Sequence, residues 1–462
     1  MAAAPPVLYR SLRCAPAAAP CPTCGRLAPR VRTGHRDVRT LAYKQVAWLR
    51  VTYGEYHARC GCRTTSRTSP AGVRPRARYG DAVRQAVLDR ILGDGLNVEA
   101  ALRSLSRDFL LDLSPGFVYD CLRDATAALE MGEYRRRVLR EFSGTLCVDE
   151  LHLGRYTLLL ATDPLRDLPV AFALVGTNDG DHMRRFLGHL RGHGLRPRVV
   201  VTDGSGLYPA LLAELWPHAE HQLCVFHALR DLHRAILDAV KRLRRAVGRR
   251  GRRGRKRRRG RPRKGRSRRR TPREKAAFVF KHRHLIVKRR DRMTARDYEH
   301  LSQMFRDLPD LGPLRDFADA LMRLLAADQT EPQAWGRWRA LRANATYQAI
   351  PELRRALAML DRAKFGKVIA FVRSPAGRRV RTNNHVERCN RRVRFWEKVR
   401  YKWRRRRTLV RFLVLALARW WDRVLTAART PTPDLVHGGE GTPDARPRPS
   451  RGSQTRSRRK AA

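Results

Sequence analysis

Three carboxylates sit in settings suited to chemistry on a phosphodiester. Asp149 lies in Gly144-Thr-Leu-Cys-Val-Asp-Glu150, Asp203 in Val199-Val-Val-Thr-Asp-Gly204, and Glu387 in Asn383-Asn-His-Val-Glu-Arg-Cys-Asn-Arg391. The first two follow short apolar, β-prone runs, as strand-end residues do; the third occupies a polar, arginine-rich stretch of helical character. Carboxylate oxygens suit hard divalent cations. A pair of such ions can activate water on one side of phosphorus and stabilise the leaving oxygen on the other. Glu150, next to Asp149, belongs to the opposite face of its strand and is a poor substitute. Asp163, Asp167, Asp179 and Asp181 read as turn or cap residues.

A second cluster is made of sulfur. Cys21-Pro-Thr-Cys24 and Cys60-Gly-Cys62 flank a β-prone stretch, Val46 to Tyr53. Two close thiol pairs separated in this way look like a zinc ribbon, in which four thiolates give Zn2+ its tetrahedral shell and staple a domain too small to hold itself together. His57 is the alternative fourth ligand, and Cys14 is left spare. Nine cysteines in a long chain without an export signal argue for thiols and metal ligands over disulfides.

Composition says what such sites act on. The 462 residues carry 99 Lys plus Arg against 42 Asp plus Glu, a formal charge of +57. Self-repulsion of that size calls for a polyanion, and nucleic acid is the natural one. A membrane surface fits less well, because the cations are not gathered on one amphipathic helix and no apolar run approaches the roughly 18 residues of a spanning helix.

The elements that must position these residues follow in order. Residues 15–65 form the expected ribbon. After a Pro, Arg and Ser linker, residues 79–140 are helical in pattern, and Ser114-Pro115 marks a helix start; the trio resembles a helix-turn-helix. From 141 to 427 the expectation is an α/β catalytic domain. Strands at Thr145–Val148, Thr157–Ala161 and Val170–Val175 precede a helix at Asp181–Leu190, a strand at Arg198–Val201, a helix at Tyr208–Leu215, a fifth strand at Gln222–Phe226 and a helix from Ala228. Three successive strands followed by alternation is the order of the ribonuclease-H-like fold, which would bring Asp149 and Asp203 to neighbouring strand ends.

Residues 241–275 hold 22 Lys or Arg against one Glu and read as a disordered polybasic loop. Within it, Arg259-Gly-Arg261-Pro resembles the core of an AT-hook, which enters the minor groove. Residues 276–375 read as a helical insertion whose Trp335 and Trp338 belong to its core. Val410 to Ala427, with Trp420-Trp421, is expected to dock on the core, and 430–462 to form a disordered basic tail.

Asp149, Asp203 and Glu387, in this order and with a helical insertion before the glutamate, resemble the DDE triad of cut-and-paste transposases. Cys224-Val-Phe-His227 is similar to the Cys-x-x-His signature of the mutator-like branch. A zinc ribbon with helix-turn-helix ahead of the catalytic domain is similar to bacterial insertion-sequence transposases. The resemblance implies that Asp149 and Asp203 are ligands of Mg2+ or Mn2+, Asp149 bridging two ions, with Glu387 completing the second site. It implies cleavage at transposon ends and strand transfer into target DNA without a covalent protein intermediate. Partners would be double-stranded DNA, both ends and target, and further copies of the chain in a homodimer or larger synaptic assembly, in the bacterial cytoplasm at the nucleoid.

His227 and Cys224 would neighbour the active site, and Arg388, Arg391 and Arg392 would reach DNA phosphates from the helix of Glu387. The separation of Asp203 and Glu387, 387 − 203 = 184 residues, demands a large insertion, with Glu352 and Glu397 as fallback ligands. Two other readings stay open: a catalytically inactive, transposase-derived DNA-binding protein, and a structure-specific nuclease on the same fold.

Overall fold

The computed structural model describes residues 7–250, 270–375, 377, 379–400 and 405–429. The candidate minor-groove arginines Arg259 and Arg261 and the tail from 430 lie outside the described residues.

Five strands open the chain: β1 (Val7–Cys14), β2 (Ala18–Pro20), β3 (Leu27–Thr40), β4 (Val46–His57) and β5 (Thr65–Arg67). They form one sheet in the order β1-β4-β3-β2, with β5 on β4. Its apolar content is small: Ala19, Ala28 and Tyr56 make one cluster and Val38, Val51 and Val73 another. A sheet with so little buried surface needs another source of stability.

Four helices follow: α1 (Asp81–Leu88), α2 (Val98–Phe109), α3 (Pro115–Ala127) and α4 (Met131–Glu141). Ser114 caps α3 as its sequence foretells, accepting from the Phe117 amide at 3.2 Å. The trio α1–α3 has no core of its own. Val87, Leu105, Val118 and Leu122 share one cluster with Leu151, Leu158 and Leu174 of the next sheet and with Trp396, Phe412 and Leu413 near the C-terminus.

The second sheet contains β6 (Thr145–Leu153), β7 (Tyr156–Asp163), β8 (Leu168–Val175), β9 (Val199–Thr202) and β10 (Glu220–Leu223), with α5 (Gly180–Gly192) and α6 (Tyr208–Leu215) between them. Its order is β10-β9-β6-β7-β8; β6 pairs antiparallel with β7, and β6, β9 and β10 run parallel. Residues alternate between two faces. Leu146, Val148, Leu159 and Val200 pack on α5 and α6, whereas Cys147, Leu160 and Val201 pack on residues of the C-terminal helices.

The next helix, α7 (Val225–Arg250), starts at Val225 and not at Ala228, so the expected fifth strand is shorter than its apolar run suggests. Cys224 consequently stands at the strand-to-helix junction and not on the strand. The helix also runs ten residues into the stretch expected to be disordered: Lys and Arg are good helix formers, and Leu243 and Val247 pack on the helical core. It is followed by α8 (Pro272–His282), α9 (Ala295–Asp307), α10 (Gly312–Leu324), α11 (Glu331–Ala343), α12 (Ala345–Ala349), α13 (Pro351–Met359) and α14 (Arg362–Val368). Thr271 with Glu274, Thr294 with Asp297 and Thr330 with Gln333 form capping boxes at three of these starts.

These helices enclose one core around Ile236, Phe317, Leu321 and Phe365. Trp335 and Trp338 pack against it and against each other. The buried Gln222 fastens this body to the sheet, donating to Val368 O at 2.8 Å and accepting from the Phe371 amide at 2.6 Å. Finally α15 (Asn384–Val399) and α16 (Arg406–Arg429) return the chain to the sheet. Trp421 is buried among the β6–α6 core, and Trp420 lies beside Cys389.

Candidate active site

The parallel register builds the site. Cys147 on β6 pairs with Val201 on β9, and Thr202 on β9 pairs with Leu223 on β10. Carried two residues further along β6, the first offset, 201 − 147 = 54, sets Asp149 beside Asp203. Carried one residue further along β9, the second, 223 − 202 = 21, sets Asp203 beside Cys224. Neighbouring strands lie about 4.8 Å apart, so the three residues form a row across the sheet. All three belong to the face of Cys147 and Val201, which α15 and α16 cover. The Cys224 amide, bonded to Thr202 O at 2.8 Å, fixes one end of the row.

Helix α15 lies over the row. Asn383, fully buried at its start, donates through Nδ2 to Val148 O at 3.1 Å and through its backbone amide to Cys224 Sγ at 3.3 Å. Its own carbonyl accepts from the Glu387 amide. One turn beyond Glu387, Asn390 Nδ2 donates to Asp149 Oδ2 at 2.8 Å. Asn383, Glu387 and Asn390 stand at spacings of four and three, which places them on one helix face. That spacing was visible in the sequence, yet both asparagines escaped notice as site residues.

The carboxylate of Glu387 faces His227, with Oε1 3.7 Å from Nδ1. Cys224, His227 and Glu387 offer ligand atoms within 4.8 Å of one another. Asp149 and Asp203 do not join that group; Asp203 Oδ1 accepts instead from the Ser205 amide at 2.9 Å. The fold thus sets Asp149, which lies within β6 and not at its end, beside Asp203, and turns Glu387 toward His227 and Cys224.

Electrostatics favour a cation here. Burial, then the charges of Glu150 and Asp203, push the Asp149 carboxyl up to about 7. Glu387 Oε1, His227 Nδ1 and Asn390 Oδ1 are buried and have no hydrogen-bond partner among the described residues. Buried acceptors left in this way are costly unless something positive meets them. Glu150 points to the other face, as expected, where Asn178 and the buried Tyr208 hydroxyl bond its two oxygens.

Asp163, Asp167, Asp179 and Glu352 have structural partners. Asp163 accepts from the Ser143 amide and hydroxyl, Asp179 caps α5, and Asp167 bonds His385 and Arg388. Glu352 is paired with Arg242 at 2.8 Å in the helical body. Of the three arginines expected on DNA, Arg388 is engaged by Asp167, Arg392 lies over the Trp420 ring at 4.9 Å, and Arg391 is exposed.

The sulfur cluster assembles as its spacing foretells. Cys21, Cys24, Cys60 and Cys62 place their sulfurs within 4.8 Å of one another, with 3.4 Å between Cys24 and Cys60 and 3.7 Å between Cys60 and Cys21. Zn–S bonds of about 2.3 Å give a tetrahedron with edges of about 3.8 Å, so the set is compatible with zinc. Thiols this close cannot all ionise unaided: the Thr64 hydroxyl draws Cys21 down to about 6, and hydrogen bonding with Cys24 pushes Cys62 up to about 12. His57 bonds Thr65 at 3.1 Å and is not part of the cluster.

A family model of DDE transposases, DDE_Tnp_ISL3, matches residues 146–428, well over half of the chain. The chain belongs to that transposase family. Its membership makes it a DNA-binding, DNA-processing enzyme of the insertion-sequence kind. The matched segment of the transposase runs from β6 through α16 and so contains Asp149, Asp203, Glu387 and the helical body. No curated protein matches it. No helix among the described residues of the transposase is long and apolar enough to cross a membrane.

Proposed function

We propose that Asp149, Asp203 and Glu387 are the metal-binding triad of a ribonuclease-H-like catalytic core that cleaves DNA at transposon ends and transfers the freed strand into target DNA. The observation that carries this reading is the row that sets Asp149, midway along β6, beside Asp203 just past the end of β9, under a helix that carries Glu387 and whose Asn390 touches Asp149. The sheet order β10-β9-β6-β7-β8 supports the ribonuclease-H-like assignment, and the Cys224-x-x-His227 pair supports a place near the mutator-like branch.

The residues divide the work. Asp149 and Asp203 would hold Mg2+ or Mn2+ from the sheet, and Glu387 from α15. Bound there, the ions supply Lewis acidity and a hydroxide-like nucleophile near neutral pH. Asn390 keeps the Asp149 carboxylate pointed at the helix, Asn383 fixes that helix to β6, and His227 orients Glu387. Exposed Arg391 would neutralise phosphate charge. Cys21, Cys24, Cys60 and Cys62 would hold Zn2+ and make the first sheet a zinc ribbon, residues 79–140 would read transposon ends, and a homodimer or larger assembly would pair them.

The test uses the full-length chain and labelled duplexes cut from the borders of its own element. Cleavage and joining with Mg2+, abolished in Asp203→Asn with binding retained, is the expected result. Cleavage that survives Asp203→Asn would overturn the triad; binding without cleavage in either metal would favour an inactive DNA-binding descendant. Cutting of branched DNA regardless of end sequence would favour a structure-specific nuclease.

A further inference from the structure

The side of α7 turned away from the core carries a pattern the triad does not explain. Phe226, Arg230, Arg234, Lys241, Arg245 and Arg249 are all exposed and recur at mostly helical intervals of four, so they form a stripe that winds slowly along the helix. The interior side of the same helix packs Leu232, Ile236, Ala239 and Val240 into the helical core. Acidic residues interrupt the stripe only weakly: Asp231 lies 3.6 Å from both Arg230 and Arg234, whose side chains stay 50% and 68% exposed. At the far end Lys241, Arg242, Arg245 and Arg249 line an open recess of about 400 Å³ with Asp238 and Glu352.

The near end is aromatic. Phe226 is 52% exposed, an unusual position for a phenyl ring on a polar surface, and its ring meets the His227 ring edge-on at 5.8 Å. Since His227 contacts Glu387, Phe226 stands at the rim of the candidate active site. From Phe226 to Arg249 the helix rises about 35 Å, close to one turn of B-form DNA, roughly 34–36 Å.

We propose that this stripe of α7 is the track along which the DNA beside the scissile phosphate lies, its cations meeting phosphates over one helical turn and Phe226 stacking on a base left unpaired at the cut. The proposal rests on the active-site reading only for the position of the cut. Charge complementarity selects a polyanion, and the match of stripe length to the helical repeat selects duplex DNA. An aromatic ring at the reacting end adds a surface every base can use, because stacking is tolerant of sequence.

Two measurements on the full-length chain test it. In the first, affinity for a fluorescein-labelled 40-base-pair duplex of mixed sequence is followed across a KCl series. The variant Arg230→Gln/Arg234→Gln/Lys241→Gln/Arg245→Gln/Arg249→Gln should lower the slope of log affinity against log salt by about 4.5, since each of the five lost phosphate contacts removes about 0.9. A control variant that removes five exposed arginines elsewhere, Arg292, Arg296, Arg306, Arg339 and Arg354, should leave the slope near that of the parent. Equal changes in the two variants would overturn the track. In the second, the duplex carries a four-nucleotide 3′ overhang. The parent should bind it about tenfold more tightly than the blunt duplex, Phe226→Tyr should keep that preference and Phe226→Ala should lose it. A parent without preference, or a Phe226→Ala variant that retains it, would overturn the stacking role. Neither readout requires cleavage, so a chain that fails to cut yet shows both effects separates this surface from the triad.

Discussion

Asn390 donates its side-chain amide to Asp149 across 2.8 Å, joining two residues 241 positions apart, from a helix that carries Glu387 one turn earlier. The contact makes the orientation of one candidate metal ligand depend on the docking of the helix that supplies another. A misplaced α15 would therefore disturb two carboxylates at once.

Removing that amide should weaken the site without unfolding the protein. Asn390→Ala deletes a hydrogen bond that draws the Asp149 carboxyl down, so its titration should move further up. Partners of metal ligands typically matter by 10- to 100-fold. The Mg2+ concentration for half-maximal cleavage should rise by about that factor, and the pH at half-maximal rate should rise with it. A pH profile that stays in place in Asn390→Ala would show that the contact does not govern Asp149.

Asp149 should make stability fall with pH. Its folded value of about 7 lies above the usual aspartate value of 3.8. The contribution is present below 3.8 and is lost as pH rises through about 7, because the folded state binds the proton more tightly than the unfolded chain. Three pH units at about 1.4 kcal/mol each set an upper bound of roughly 4 kcal/mol. Asp149→Asn, which keeps an acceptor for Asn390, should therefore raise Tm at pH 8 without added metal, leave it little changed at pH 4, and abolish cleavage. Thermal melts at the two pH values check the sign.

Protons and metal should compete at the same carboxylate. Below about pH 7, Mg2+ affinity read from a cleavage titration should drop by up to tenfold per unit. Above pH 8 it should level off.

Zinc removal should unfold the first sheet and spare the second. The clusters around Tyr56 and Val51 are too small to stand unaided, whereas the catalytic sheet has its own cores. One zinc per chain is expected by elemental analysis, and Cys62→Ser should lower it. Chelation should speed amide exchange over residues 7–67 while leaving β6 and β9 protected.

The helices of residues 79–127 should melt together with the catalytic body. Leu105, fully buried, shares a cluster with Trp396 and Phe412. Leu105→Ala should cost about 2–5 kcal/mol and shift a single transition monitored by exchange in both α2 and α16. Two separate transitions would mark a detachable domain.

Much of the order of elements was legible in the sequence because apolar period and caps are local properties. Tyr208–Leu215 is helical, as its pattern says, and Ser114 caps its helix. The position of Asp203 just past β9 could be read from the apolar run before it, and the four cysteines from their paired spacing, whereas Asp149 does not end its strand: β6 continues to Leu153, held by its ladder with β7. Where local signals conflicted, reading failed: Gln222 to Phe226 is apolar enough for a strand, but the helix starts at Val225, with the buried Cys224 thiol facing its first amides. The basic composition of residues 241–250 predicts disorder, yet Leu243 and Val247 give them a surface to pack on.

By itself, then, the sequence determined which carboxylates and thiols were available, and the succession of strands and helices that would carry them. Only the tertiary structure decided that Asp149, Asp203 and Cys224 share one row, that Asn390 and not a metal-ligating carboxylate touches Asp149, and that α1–α3 lack a core of their own. The reason is physical: propensity acts over a few residues, whereas register and helix docking are fixed by burying side chains hundreds of positions apart, and that choice leaves no mark at any single position.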